Sequence, residues 1–187
     1  MKIYWHGKTC FEIIINEKTQ EPVSVIIDPI DKTYPKKDTD ILVLTHAVEY
    51  NKKEKVFTIS AAGEYEIKDV YVQGIPLKEG GLIFIIKSEG IKICHLGKTD
   101  IKELSDDELG KLGLIDILLI NAGEEDDKTR IIKQLEPATI IPMDYDNVEG
   151  FLKKLGESNK ESTDYYKVQK KDFDNLEEAE IIVLNKK

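Results

Sequence analysis

The stretch Ile41-Leu42-Val43-Leu44-Thr45-His46-Ala47-Val48-Glu49-Tyr50-Asn51 governs the reading of this chain. Its first four residues form a continuous apolar run, the pattern of a short strand buried on both faces. That run delivers Thr45 and His46 at its carboxyl end, where an α/β protein presents its ligands. Beyond His46 the segment turns mixed and polar, as a loop at a strand end does.

On the amino-terminal side, residues 3–5, 10–15 and 23–27 are short β-branched runs separated by Gly7-Lys8-Thr9 and a polar stretch at 17–21. They predict a meander that ends at Asp28-Pro29, followed by a polar loop at 31–38 containing Pro35. On the carboxyl side, residues 56–59, 64–67 and 70–75 read as further strands, with Gly63 and Gly74 as punctuation. Residues 82–86 and 91–94 read as a hairpin across Ser88-Glu89-Gly90.

The second half changes rhythm. Ser105-Asp106-Asp107-Glu108 is a capping-box pattern and predicts a short helix carrying Leu109 and Leu112. Residues 117–120 form another doubly apolar strand. Residues 128–135 read as a helix with Ile131, Ile132 and Leu135 on one face, and 138–141 as a strand running into Pro142-Met143-Asp144. Asp146 is expected to cap a helix whose Val148, Phe151, Leu152 and Leu155 keep helical spacing, ended by Gly156. Residues 165–169 and 181–184 read as closing strands, with a loop or short helix at 170–178.

One internal echo bears on the architecture. Residues 25–29 followed by Asp40-Ile41-Leu42-Val43-Leu44 resemble residues 91–97 followed by Asp116-Ile117-Leu118-Leu119-Ile120. Two β-rich halves, each with a polar turn and then an Asp-led buried strand, predict two sheets packed face to face with helices outside. Ligands would gather where the inner strands end, at Asp28, His46, Gly97-Lys98, Asn121 and Asp144.

Composition narrows the class. A chain of 187 residues with 41% hydrophobic and 34% charged residues reads as one soluble globular domain spanning 1–187. The formal charge of −9 argues against a phosphate-backbone partner, which needs clustered Lys and Arg. No apolar run approaches the roughly 18 residues of a membrane span, and the amino terminus lacks the apolar core of a signal peptide. Cys10 and Cys94 sit in apolar strands and read as buried thiols of a cytoplasmic protein.

The ordered pieces resemble one family. The opening Trp5-His6-Gly7-Lys8-Thr9-Cys10-Phe11 is similar to the Trp-x-Gly-His-Ser-x-Phe start of the metallo-β-lactamase superfamily. The likeness continues through Ile27-Asp28-Pro29, Gly63-Glu64-Tyr65-Glu66, Gly74-Ile75-Pro76, His95-Leu96-Gly97, Asp116-Ile117-Leu118-Leu119-Ile120, Glu136-Pro137 and Ile140-Ile141-Pro142-Met143. It points to the branch of small, mostly bacterial metal-dependent hydrolases of the ascorbate-phosphate lactonase type. The resemblance implies an αββα four-layer sandwich.

It also implies a two-metal site built from a His-x-His-x-Asp-His loop, a later His, a bridging Asp after His-x-Gly, and a terminal His. Such a site converges imidazoles and carboxylates on divalent cations and activates a water. Laid on that pattern, His46 keeps the first ligand. Val48, Tyr50 and Asn51 replace the others of the loop, Lys98 replaces the bridging aspartate, and Asp144 replaces the terminal histidine. The segment 75–80 has no His where the family has one. An ammonium at position 98 would stand where two dications sit, a repulsion on the order of 4 kcal/mol at moderate effective dielectric.

Asp28 resembles the aspartate that orients the ligand loop from behind. With His46 it reads as a structural remnant. His6 and Lys8 read as packing residues, and Glu124-Glu125-Asp126-Asp127 as acids opening a helix. The expectation is therefore a non-catalytic descendant with no cofactor, acting through a protein partner or a second copy of itself in a binding, regulatory or assembly role. The alternative is a phosphodiester or lactone hydrolase with one divalent transition metal, zinc or manganese. That metal would sit on His46 and Asp144, with His95 or Glu49 and the nearby Asp100 as further donors.

Overall fold

Strand alternation decides which side chains meet between the layers, because successive residues point to opposite faces. The computed structural model describes residues 1–15, 21–31, 38–50, 55–123, 128–174, 176 and 178–187. The first sheet starts as the expected meander, β1 (Lys2–Gly7), β2 (Cys10–Ile15) and β3 (Val23–Ile27), paired antiparallel. β4 (Ile41–Val43) and β5 (Phe57–Ile59) then add in parallel.

The second sheet starts with the antiparallel strands β6 (Gly63–Ile67), β7 (Val70–Pro76), β8 (Leu82–Ser88) and β9 (Ile91–His95). β10 (Ile117–Asn121) and β11 (Thr139–Met143) extend it in parallel. The carboxyl-terminal region divides between the layers. β13 (Tyr166–Lys167) joins β1, β14 (Glu180–Ile181) joins β11, and β12 (Ser162–Thr163) pairs with β15 (Val183–Leu184) apart from both sheets. The segment 170–178 begins with a 3-10 turn, Lys170–Phe173.

The two sheets meet over one apolar layer. Ile3, Trp5, Phe11, Ile13, Val25, Ile27, Ile41 and Val43 from the first face Val72, Phe84, Ile86, Ile93, Leu119, Ile141 and Met143 from the second. Burial of this many large side chains supplies the main driving force for the sandwich.

The internal echo has a hydrogen-bonded counterpart in each sheet. Asp40 precedes β4, accepts the Ser24 N–H on its Oδ2 at 2.9 Å and donates its own N–H to Ser24 O at 3.0 Å. Asp116 precedes β10 and does the same with Lys92, at 2.8 Å and 3.0 Å. Each aspartate clamps a parallel strand onto the hairpin strand before it, β4 onto β3 and β10 onto β9. The parallel pairs leave their carboxyl ends at one end of the sandwich, and the site lies there.

Helices α1 (Asp106–Leu112), α2 (Thr129–Leu135) and α3 (Glu149–Lys154) all pack on the outer face of the second sheet. Their Leu112, Ile131, Leu135, Phe151 and Leu152 cover Ile83, Ile85, Cys94, Leu118, Ile120 and Ile140. α1 has its capping box, with Ser105 N–H donating to Glu108 at 2.8 Å. The expected cap of α3 is corrected. The helix starts at Glu149, so Asn147 rather than Asp146 stands within reach, and Asn147 Oδ1 accepts the Glu149 N–H at 2.9 Å.

The outer face of the first sheet is closed differently. There Ile26, Leu42 and Leu44 form a small cluster covered by Val48, Tyr50 and Val56. Two of those three covering residues belong to the segment that resembles a ligand loop. Among the described residues no helix lies on this face.

Candidate functional site

The carboxyl ends of β3 and β4 set the geometry. Asp28 follows β3 with φ 44° and is 2% exposed. Its Oδ1 accepts the Thr45 N–H at 2.7 Å and its Oδ2 accepts the Thr45 hydroxyl at 2.5 Å. Burial pushes the Asp28 pKa up, but hydrogen bonds from His46 and Thr45 outweigh it, and the net shift is downward.

That arrangement fixes the tautomer of His46. Thr45 has one hydroxyl proton and gives it to Asp28, so the 3.0 Å contact between Thr45 Oγ1 and His46 Nδ1 requires the ring to donate. Asp28 Oδ2 lies 3.4 Å from the same nitrogen. The neutral ring therefore carries its proton on Nδ1 and leaves the Nε2 lone pair free, on a side chain 31% exposed.

His95, at the end of β9, is held the opposite way. Its Nδ1 accepts the Gly97 N–H at 2.9 Å, so its Nε2 donates to Thr9 O at 2.9 Å. The ring is fully buried beside Phe11, and burial lowers its pKa. Both nitrogens are spent. His95 joins the two sheets and has no lone pair to give a metal.

A cleft of about 400 Å³ opens above these strand ends, lined in part by Lys8, Asp28, His46, Val48, Glu49, Lys98 and Asp144. The structure thus brings His46, Glu49, Lys98 and Asp144 together and leaves His95 beneath them. Asp100 is exposed and does not line the cleft. Val48 lines the cleft while packing on the outer cluster, and Tyr50 turns into that cluster. Asn51 and the run 124–127 lie outside the described residues. His6 is a buried packing residue, 3% exposed and 3.0 Å from Glu12, and Lys8 is exposed at the cleft.

The rim is unusual in its backbone. Lys8, Asp28 and Asp144 all adopt positive φ without being glycine, at 50°, 44° and 53°. Lys8 is held there by two donors to its carbonyl, the Trp5 indole N–H at 2.7 Å and the Asp144 N–H at 3.1 Å. Strain of this kind persists where surrounding contacts over-determine it, and it concentrates at functional sites.

The turn bearing Lys98 is equally fixed. Gly97 has φ +65°, and a Cβ there would lie 2.8 Å from Leu82 O and from Thr45 Cβ. On the other side, the buried Lys128 ammonium donates to Thr99 O at 3.2 Å and Ile101 O at 2.7 Å. Lys128 and the Thr45 hydroxyl are supports that sequence reading missed. The Thr directly before His46 was a signal for the second, and nothing in the sequence marks the first.

The donor chemistry does not suit a two-metal centre. Among the described residues no group of three or more His, Cys, Asp or Glu forms a metal-holding cluster. The cleft offers one imidazole lone pair, and carboxylates share it with two ammonium groups.

Comparison with known proteins identifies the scaffold. A family model described as a beta-lactamase superfamily domain matches residues 2–144. A protein of the metallo-beta-lactamase superfamily from Thermotoga maritima, suggested to be a Zn-dependent hydrolase, superposes with a TM-score of 0.73 at 24% identity, covering 98% of both chains. The metallo-beta-lactamase fold protein YhfI from Bacillus subtilis gives 0.60 at 7% identity, covering 98% of this chain and 96% of its own. A protein from Veillonella parvula suggested to be a metal-dependent hydrolase gives 0.60 at 11%, covering 90% and 100%. Comparison with curated proteins finds no match. Two facing sheets, a site at the ends of their inner strands and a family match over most of the chain lead to one conclusion: this chain belongs to the metallo-β-lactamase superfamily.

Proposed function

We propose that this chain is a metallo-β-lactamase-fold protein that works without the dinuclear metal centre, in a binding, regulatory or assembly role. The observation that supports this reading best is the occupancy of the ligand positions. Val48 and Tyr50 pack on Ile26, Leu42 and Leu44, and Lys98 brings an ammonium to the cleft. Residues that served a metal would converge on one point, whereas these close a sheet face.

The proposed partner is a protein or a second copy of this chain, and a charge of −9 favours neither nucleic acid nor an anionic membrane surface. No helix among the described residues is long and apolar enough to cross a membrane. Two free, buried thiols accord with a cytoplasmic setting.

The competing reading is a hydrolase with one divalent metal on His46 and Asp144. It draws on the free His46 Nε2 and on neighbours suggested to be metal-dependent hydrolases. Elemental analysis of the natively purified protein separates the two. We expect zinc, manganese and iron well below one equivalent, and a melting temperature that a chelator leaves unchanged. One equivalent of tightly held metal, lost together with activity in His46→Ala, overturns the proposal.

A further inference from the structure

We propose that the free edge of β6 binds an extended segment of a partner protein in which Lys or Arg alternates with apolar residues, added antiparallel as the next strand of the second sheet. The proposal rests on the protein-partner reading above and adds where and how that partner docks. Three observations carry it.

The first is an open ladder. β6 ends the second sheet and, among the described residues, no strand pairs with its outer side. Its five residues pair with β7 in unbroken register, without a bulge or a proline. The hairpin turns through Lys68 and Asp69, both at positive φ, 51° and 62°, as a two-residue hairpin turn requires. Ile67 and Val70 flank that turn and exchange hydrogen bonds, and by alternation so do Tyr65 and Val72. The N–H and C=O groups of Glu64 and Glu66 therefore point the other way, toward the free edge, where an added strand can take them. β5, which ends the other sheet, is only three residues long.

The second is the pair of side chains that an added strand meets. Residues placed opposite Glu64 and Glu66 share the outward face with those two carboxylates. Gln73 and Tyr71 reach Glu64 only as neutral donors, and neither glutamate is in an ion pair among the described residues. The lysines of this region stand elsewhere. Lys68 is paired with Asp40 at 2.5 Å, Lys55 precedes the edge of the other sheet, and Lys87 and Lys92 lie on β8 and β9, further in from the edge. Both cross-strand neighbours are thus acidic, which favours Lys or Arg at alternate positions of the incoming segment. The same pair disfavours a second copy of this chain. β6 against its own copy, centred on Tyr65, sets each Glu64 opposite a Glu66, and like charges directly opposite destabilise the pairing.

The third is an apolar strip on the inward face. Tyr65 and Ile67 alternate with the glutamates and pack, half-buried, against the core between the sheets. Phe57 of β5, 48% exposed, stands edge-on to Tyr65 at 6.4 Å between ring centroids. An added strand lays its remaining side chains along this strip, so the positions between its basic residues are apolar.

The test uses the full chain and short blocked peptides of alternating lysine and valine, followed by calorimetry and amide NMR shifts. We expect saturable binding with the largest shifts at residues 64–67, and binding about tenfold weaker for a peptide of the same composition whose lysines are consecutive. N-methylation of the lysine amides, which face β6, removes binding, whereas N-methylation of the valine amides, which face away, leaves it nearly unchanged. Glu64→Lys combined with Glu66→Lys weakens binding about tenfold or more at an unchanged melting temperature, and the same variant binds a peptide with glutamate in place of lysine.

Absence of saturable binding, equal affinity for the rearranged peptide, or equal loss on both N-methylations overturns the proposal. So does a concentration-dependent dimer in sedimentation that the double glutamate variant abolishes, which would make a second copy the occupant. The metal content of the native protein is read separately. A metal-free protein that ignores the peptide defeats this inference alone, whereas stoichiometric metal defeats the reading beneath it.

Discussion

Asp28 takes both donors of Thr45, the backbone N–H at 2.7 Å and the hydroxyl at 2.5 Å, and through them sets the orientation of His46. An aspartate that would orient a metal-binding loop here fixes the start of a segment whose later residues cover a sheet face. The bond network explains why Asp28 is retained at a left-handed backbone position that costs on the order of 1 kcal/mol or more.

Asp28→Asn should destabilise the protein by about 1.5–3 kcal/mol near neutral pH, because it removes a buried charged acceptor from two donors. The sign of the pH dependence follows from the downward shift of its pKa. As pH falls, the unfolded chain takes up the proton before the native one does. The stabilisation is complete above the ordinary carboxylate range and disappears as pH falls through the native value. Urea unfolding at pH 7 and pH 3 checks this. A gap between wild type and variant that stays constant over that range contradicts it.

His95 predicts a second pH effect. Burial lowers its pKa, so the unfolded state binds its proton first and the native state loses stability as pH falls below about 6.5. The melting temperature should drop between pH 7 and pH 5, and His95→Phe should flatten that drop while lowering stability overall. The cost arises because Thr9 O and the Gly97 N–H lose their buried partner. An unchanged slope in the variant would assign the effect to other groups.

The strands were legible because their apolar runs are short, β-branched and bounded by Gly and Asp-Pro signals. Residues 10–15 and 23–27 are strands over those same spans. The two-sheet pattern located the site at five strand ends, of which Asp28, His46, Lys98 and Asp144 line one cleft and the buried Asn121 does not. What sequence could not supply was side-chain direction. Nothing in His95-Leu96-Gly97 says that both ring nitrogens are consumed, and nothing in Lys128 says that its ammonium holds the 99–101 turn. The placing of Val48 and Tyr50 on Leu42 and Leu44 also needed the tertiary fold, because their spacing matches ligands as well as packing.

Gly97→Ala tests how tightly the Lys98 turn is built. The new methyl would meet Leu82 O and Thr45 Cβ at 2.8 Å, in a backbone conformation with φ +65°. One contact is backbone and the other a β-carbon already fixed by Asp28, so neither can swing away. We expect a loss of about 2 kcal/mol or more, measured by chemical denaturation. The same substitution at Gly110, where a Cβ meets nothing within 4 Å, should be neutral or stabilising. A Gly97 variant as stable as the wild type would show that the turn relaxes freely, and would remove the rigidity argued for Lys98.

The paired clamps of Asp40 and Asp116 give a prediction that compares the two halves directly. Each carboxylate accepts a strand N–H on Oδ2 and a lysine ammonium on Oδ1, from Lys68 at 2.5 Å and Lys170 at 2.7 Å. The lysines are 58% and 52% exposed, so water and salt screen their pairs, and Lys68→Met and Lys170→Met should each change stability by less than about 1 kcal/mol. The strand amides are different. Asp40→Ala leaves the Ser24 N–H without its acceptor, Asp116→Ala does the same to Lys92, and each should cost about 1–3 kcal/mol. The two aspartate losses should be similar, because the clamps share bond pattern and strand direction. Equilibrium unfolding of the four variants checks both statements. If the lysine variants matched the aspartate variants, surface ion pairs rather than strand clamping would be what Asp40 and Asp116 supply.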